Sequence, residues 1–134
     1  MAKFVITTDI VGFLAPLDHA LFSDFLKLAT CLYAEGYKDA AAVICGSVLE
    51  GHLRKLSEKL EIAVTAENGL PKKADALNGE LAAKGAYSRL DQANVTAWLR
   101  LRDHAGRAEN DQYARDQVRL LLEGVRSLLD RYPA

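Results

Sequence analysis

The sequence predicts an all-α protein, an antiparallel up-and-down helical bundle of four main helices plus one short helix. Three observations predict it. Apolar residues recur at intervals of three and four over long segments, which is the repeat of an amphipathic helix. Glycine and proline punctuate those segments and leave only short connections, so consecutive helices must pack side by side and antiparallel. Strand-like character is confined to residues 3–7, Lys-Phe-Val-Ile-Thr. These five residues suit a short strand or an extended arm equally well.

With 134 residues the chain is long enough for one domain with its own core. It divides into an N-terminal arm over 1–14 and a bundle over 15–134. The formal net charge is −1, so no global basicity draws it to long nucleic-acid tracts or an anionic membrane. A local basic site is still open. Asp9 interrupts the apolar N-terminal run, no small-x-small cleavage site follows, and no run approaches the ~20 residues of a membrane span. Cys31 and Cys45 lack CxxC or Cys/His metal spacing. They are expected to be buried reduced thiols in a cytoplasmic protein. Asn94-Val95-Thr96 matches a glycosylation sequon inside a helical segment, where it is a chance match.

Pro16 suits the start of the first helix, in which Leu17, Leu21, Phe25, Leu28, Ala29 and Leu32 are the expected core face and Gly36 the stop. Asp39 is the expected cap of the second helix. Ile44, Val48, Leu49, Leu53, Leu56 and Leu60 continue its apolar face to about Glu61. Gly46 and Gly51 lie inside that helix, at about 1 kcal/mol each relative to alanine. Their expected return is the close approach of a neighbour. Residues 62–71 form a loop around Asn68-Gly69 and Pro71. A short helix follows over Lys72–Lys84, with Ala74, Leu77 and Leu81 on one side and Gly85 at its end. Ser88 is the expected N-cap of the third main helix. There Leu90, Val95, Trp98, Leu99 and Arg102 share one side, widened by Leu101 and Ala105. The last helix, about Ala114 to Arg131, has the cleanest period: Val118, Leu121, Leu122, Val125, Leu128 and Leu129.

Ionisable residues concentrate in one stretch, Val95–Tyr113, where Arg100, Arg102, Asp103, His104 and Arg107 follow Trp98 within a few turns. Arg102 lies about 160° around the helix from Arg100, on or beside the apolar side. A charge so close to a core needs a partner. Glu50 and Arg54 are spaced i, i+4. Either they pair on the surface, or Glu50 reaches across the bundle to orient an arginine of this stretch. No Gly-x-Gly-x-x-Gly, P-loop, HExxH or Gly-x-Ser-x-Gly occurs. His19, His52 and His104 lack Glu-x-x-His spacing, so neither a metal site nor a cofactor is expected.

Residues 35–60, EGYKDAAAVICGSVLEGHLRKLSEKL, followed by LNGELAAKGAYSRLDQANVTAWLRLRD, resemble HEPN-type helical domains of bacteria and archaea. The similarity runs from about residue 20 to 131. It implies an up-and-down bundle that is usually a homodimer. Many such proteins are metal-independent endoribonucleases or toxins of toxin–antitoxin pairs, and others only bind nucleotides or RNA. By the same resemblance Arg102 takes the place of the family's active-site arginine and Asp103 the place of a common asparagine. Arg107 stands where a histidine is expected. Arginine is permanently charged and cannot exchange the proton that the chemistry needs, although it can hold a phosphate.

Three readings stay open. The first is a degenerate HEPN-like homodimer that binds RNA, a nucleotide or a protein partner through Arg102, Arg107 and Arg100. The second is an active endoribonuclease with Arg102 and His104 as catalytic residues. The third is a structural or accessory bundle in which Arg102 is a core ion pair with Glu50.

Overall fold

The computed structural model describes residues 19–134, with side chains from residue 21. The arm over 1–14, the strand or arm at 3–7 and the helix start at Pro16 lie outside the described residues. Among the described residues five α-helices form the bundle: α1 (His19–Ala34), α2 (Lys38–Lys59), α3 (Ala74–Ala83), α4 (Arg89–Gly106) and α5 (Arg115–Arg131). α2 is the central element and packs against each of the other four. Its alanine-rich start and two glycines let neighbours close in on every side, so the run from Ala40 to Leu53 is buried without interruption. Among the described residues the only β-type pairing is one bridge, Thr65 with Pro71, which closes the loop before α3 around Asn68-Gly69. No helix among the described residues is long and apolar enough to cross a membrane.

The helix ends follow backbone chemistry. After each of the first four helices the chain reverses through a residue in the left-handed region: Gly36, Glu61, Gly85 and Ala108. Each reversal carries the paired hydrogen bonds of a Schellman motif, such as Tyr37 N–H to Leu32 O (2.9 Å) and Glu109 N–H to His104 O (2.9 Å). Ser88 caps α4, accepting from Asp91 N–H at 3.0 Å. Asp39 does not cap α2. It sits inside the first turn, where its carboxylate favours the helix dipole and accepts from the Tyr113 hydroxyl. α3 and α5 are slightly shorter than expected. Ala114 is the cap of α5, and its N–H donates to the Gln117 side chain at 2.7 Å.

The core faces of α3 and α5 are those the spacing predicts. α1 differs. Phe22, Leu26 and Ala29 face the core, while Leu21 and Leu28 are 40% and 45% exposed. α1 is apolar on two adjacent stripes, and the shape of α2 chooses between them. The Phe22 ring lies over Gly51, where a Cβ would come within 2.8 Å of it. Cys31 turns out on the outer side of α1 and is exposed, whereas Cys45 is buried and its pKa is driven up by desolvation. Leu90 is also exposed, at 73%.

Polar groups lock the remaining helices. Asn78 of α3 donates to Gln92 O and Thr96 Oγ1 of α4 and accepts from the Tyr87 hydroxyl at 2.5 Å. Asp91 at the start of α4 takes a two-pronged contact from Arg131 (2.9 and 3.1 Å) and a third from the Tyr132 hydroxyl (2.8 Å). The Arg131 hydrogen bond is the largest of the effects that hold its pKa below the ordinary 3.8. That stabilisation is complete above 3.8 and is lost as the pH falls through the lower, folded value. Asp91→Asn is therefore expected to lower stability at pH 7 and to flatten the loss of stability between about pH 5 and pH 2. Urea unfolding across a pH series checks this.

Candidate functional site

The site grows from two turns of α4 facing two turns of α2. Gly46 opens the space. A Cβ there would fall closer than 3.0 Å to Cβ, Cγ and Cδ of Arg102. The aliphatic stem of Arg102 therefore lies across the bare backbone of α2 and carries the guanidinium to Glu50, one turn further along. Arg102 Nη1 donates to Glu50 Oε1 at 2.6 Å, and Arg54 Nη2 donates to Glu50 Oε2 at 3.0 Å. The side chains of Glu50, Arg54 and Arg102 are only 10%, 14% and 18% exposed. Glu50 thus makes both contacts left open by its spacing, and neither is a plain surface pair.

The other edge of the Arg102 guanidinium is also occupied. Its Nε and Nη2 donate to Asp103 Oδ1 at 3.3 and 3.1 Å. Arg54 Nη2 additionally donates to Lys72 O at 2.7 Å, which ties the loop before α3 to the cluster. Burial alone pulls the Arg102 pKa down. The hydrogen bond and charge of Glu50, helped by Asp103, more than offset this and leave it raised. Two guanidiniums and two carboxylates balance, so the cluster is neutral.

His104 is not part of it. α4 runs unbroken to Gly106, so His104 stays roughly opposite Arg102 around the helix. Its Nδ1 sits 3.4 Å from Glu109 Oε1, and Arg107 Nε donates to the same oxygen at 2.5 Å. The left-handed turn at Ala108 brings Glu109 back over the helix end to hold both. Glu109 is drawn below the usual carboxylate range, first by the Arg107 hydrogen bond. Arg100 is exposed and, with Asp75, Thr96 and Asp103, lines a shallow depression between α3 and α4. The charged stretch therefore separates into three places: Glu50–Arg54–Arg102–Asp103, His104–Arg107–Glu109, and Arg100.

Several other anchors join distant parts of the chain; of these only Trp98 was placed on an apolar side by its spacing. Lys38 donates to Asn110 O (2.7 Å) and Tyr113 O (2.8 Å) and lies 4.2 Å over the Tyr113 ring, pinning the turn after α4. The Trp98 indole lies on Gly124 of α5, where a Cβ would come closer than 3.0 Å. His52, buried in α2, hydrogen-bonds Tyr132 O at 2.8 Å. Asp91 did leave a sign, the Ser-x-x-Asp capping pattern beginning at Ser88. Among the described residues no three His, Cys, Asp or Glu side chains gather into a metal-binding group. Comparison with protein-family models, curated proteins and solved structures yields no match.

Two outcomes check this geometry by chemical denaturation. Glu50→Ala leaves two arginines facing each other in a half-closed space, so it is expected to cost about 3–4 kcal/mol, more than Arg54→Ala. Gly46→Ala gains about 1 kcal/mol in helix propensity but forces the Arg102 stem aside at about 1–3 kcal/mol, for a net loss. In an Arg102→Ala background the loss is expected to shrink but not to vanish, because the Cβ of residue 102 would still lie 2.5 Å from the new methyl group.

Proposed function

We propose that the chain is a HEPN-like bundle that works as a non-catalytic interaction protein, dimeric and cytoplasmic, with Arg102 as part of its scaffold. One observation carries the reading: both edges of the Arg102 guanidinium are taken by carboxylates in a neutral cluster, Glu50 on the buried side and the half-exposed Asp103 at the rim. An arginine that stabilises a phosphorane must point donors at an open site. To bind phosphate, Arg102 would have to leave Glu50 short of a partner inside the bundle, which is costly.

Ribonuclease chemistry also needs a group near that arginine that exchanges a proton near neutral pH. His104 is held by Glu109 on the far side of α4, and Arg107 cannot exchange one. The solvent-facing arginines give limited support to an RNA- or nucleotide-binding role. Arg107 is neutralised by Glu109, and Arg100 shares its depression with two aspartates. That charge balance favours a protein partner over a polyphosphate.

The test pairs stability with RNA chemistry. Arg102→Ala is expected to lower the melting temperature by roughly 10 °C. Single-stranded RNA incubated with the wild type in chelator is expected to stay intact. RNA cleavage that disappears in Arg102→Ala or His104→Ala at unchanged melting temperature would sink the reading.

A further inference from the structure

Asn68-Gly69, in the loop between α2 and α3, serves neither the core nor the Arg102 cluster. The loop is a small hairpin. Lys72 N–H donates to Val64 O (2.9 Å) and Ala66 N–H to Leu70 O (2.8 Å), on either side of the Thr65–Pro71 bridge. Ala66–Gly69 is its turn. Gly69 N–H donates to Ala66 O at 2.9 Å, and Gly69 takes a φ of +83°, the left-handed value that the bulge of such a hairpin asks of glycine. The Asn68 side chain is hooked forward, its Oδ1 accepting from Leu70 N–H at 3.0 Å.

An asparagine followed by glycine can be attacked by its own backbone, because glycine puts no Cβ in the way. The Gly69 nitrogen gives its proton to water or hydroxide and bonds to Asn68 Cγ. The Cγ–Nδ2 bond breaks, and the amide leaves as ammonia with a proton taken back from solvent. Water then opens the resulting five-membered succinimide at either carbonyl, leaving aspartate or isoaspartate. One water enters, one ammonia leaves, and no oxidation state changes. The closed hairpin blocks this at both reacting groups. The proton that must leave Gly69 is the one that holds the turn to Ala66 O, and the side chain that must swing onto that nitrogen is hooked to Leu70 N–H. The hairpin has to open first. Little packing resists: Asn68, Gly69 and Leu70 are exposed, and among the described residues no atom lies within 4 Å of a Cβ built on Gly69. The resistance lies in polar contacts at the base. Arg54 Nη2 donates to Lys72 O at 2.7 Å, and Lys72 Nζ pairs with Glu80 at 3.0 Å. A segment held in this way opens far more readily than the bundle unfolds.

We propose that Asn68 is a site of spontaneous covalent modification, converted by water to aspartate and isoaspartate through a succinimide, at a rate set by the Arg54 and Glu80 contacts that hold the hairpin base closed. The two products differ in effect. Aspartate keeps an acceptor for Leu70 N–H. Isoaspartate routes the backbone through the side chain, adds one atom to it and misaligns Ala66 with Leu70. That loosens Lys72 O and weakens its tie to Arg54, so the modification reaches the Glu50 cluster. The proposal is independent of the interaction role given above.

Peptide mapping by mass spectrometry of the full chain, incubated at mildly alkaline pH, tests it. The peptide spanning residue 68 is expected to gain about 1 Da in two isomeric forms, and the same peptide of Asn68→Asp to gain nothing. Conversion is expected to run about 10-fold or more slower in the folded chain than in the urea-unfolded chain. Arg54→Ala, checked as folded by its melting transition, is expected to speed conversion of the folded chain roughly 10-fold. Glu80→Gln, at a half-exposed carboxylate outside the core, is expected to speed it about 2-fold. If Arg54→Ala melts below the assay temperature, Glu80→Gln decides. No gain at residue 68, equal rates in the folded and unfolded chain, or a rate that the deciding variant leaves unchanged would overturn the proposal. These readouts are separate from the RNA and Arg102 tests, so either account can fail alone.

Discussion

The Glu50 carboxylate is the constraint on which this arrangement depends. It carries one negative charge at the buried centre of the longest helix, with an arginine from its own helix on one oxygen and an arginine from α4 on the other. A carboxylate held there needs compensation, and the chain supplies it from both sides. The geometry is possible only because residue 46 has no side chain. Gly46 brings the Arg102 stem against the α2 backbone, and Asp103 then balances the second guanidinium. Three segments are fixed by this one group: α2, α4 and, through Arg54 and Lys72 O, the loop before α3.

The same constraint explains how a sequence can resemble a catalytic family while its geometry favours a scaffold. The Trp98–Arg102 run, which carries much of the resemblance, is accounted for by packing. Trp98 fits over Gly124, Leu99 and Leu101 are buried, and Arg102 crosses Gly46. A charged side chain near a core can serve chemistry or cohesion, and the difference lies in how many of its donors are already taken. Here each nitrogen of the Arg102 guanidinium already donates to a carboxylate of its own fold. His104 and Arg107 are satisfied separately by Glu109, beyond the end of the helix.

Much of the fold was legible because it is written in local terms. The period of α5, the glycine stops at 36 and 85, and the Ser88 cap each rest on residues within a few positions of one another. The Gly46 and Gly51 expectation was also sound, although the approaching groups are an arginine stem and a phenylalanine ring. What was not legible depends on the partner's shape. In α1 two apolar stripes compete, and the one with the more regular spacing is not the one buried, because Gly51 accommodates Phe22. Leu90 was assigned to the interior by helical period and Cys31 by the lack of CxxC or metal spacing, and neither signal tells which side of a helix will be covered. For the candidate site, sequence reasoning singled out Arg102 and Glu50 as possible partners. The helical period already sets His104 about 160° from Arg102; it could not show that His104 and Arg107 are both drawn to Glu109, because the turn at Ala108 leaves no glycine where one is usual.

A double-mutant cycle between Glu50 and Arg102, measured by urea unfolding with Arg54 intact, tests the central claim most directly. A structural pair predicts a coupling of about 2 kcal/mol or more, undiminished by added single-stranded RNA. A coupling near zero, or one that RNA abolishes while binding is lost in Arg102→Ala, would contradict it and return Arg102 to a working site.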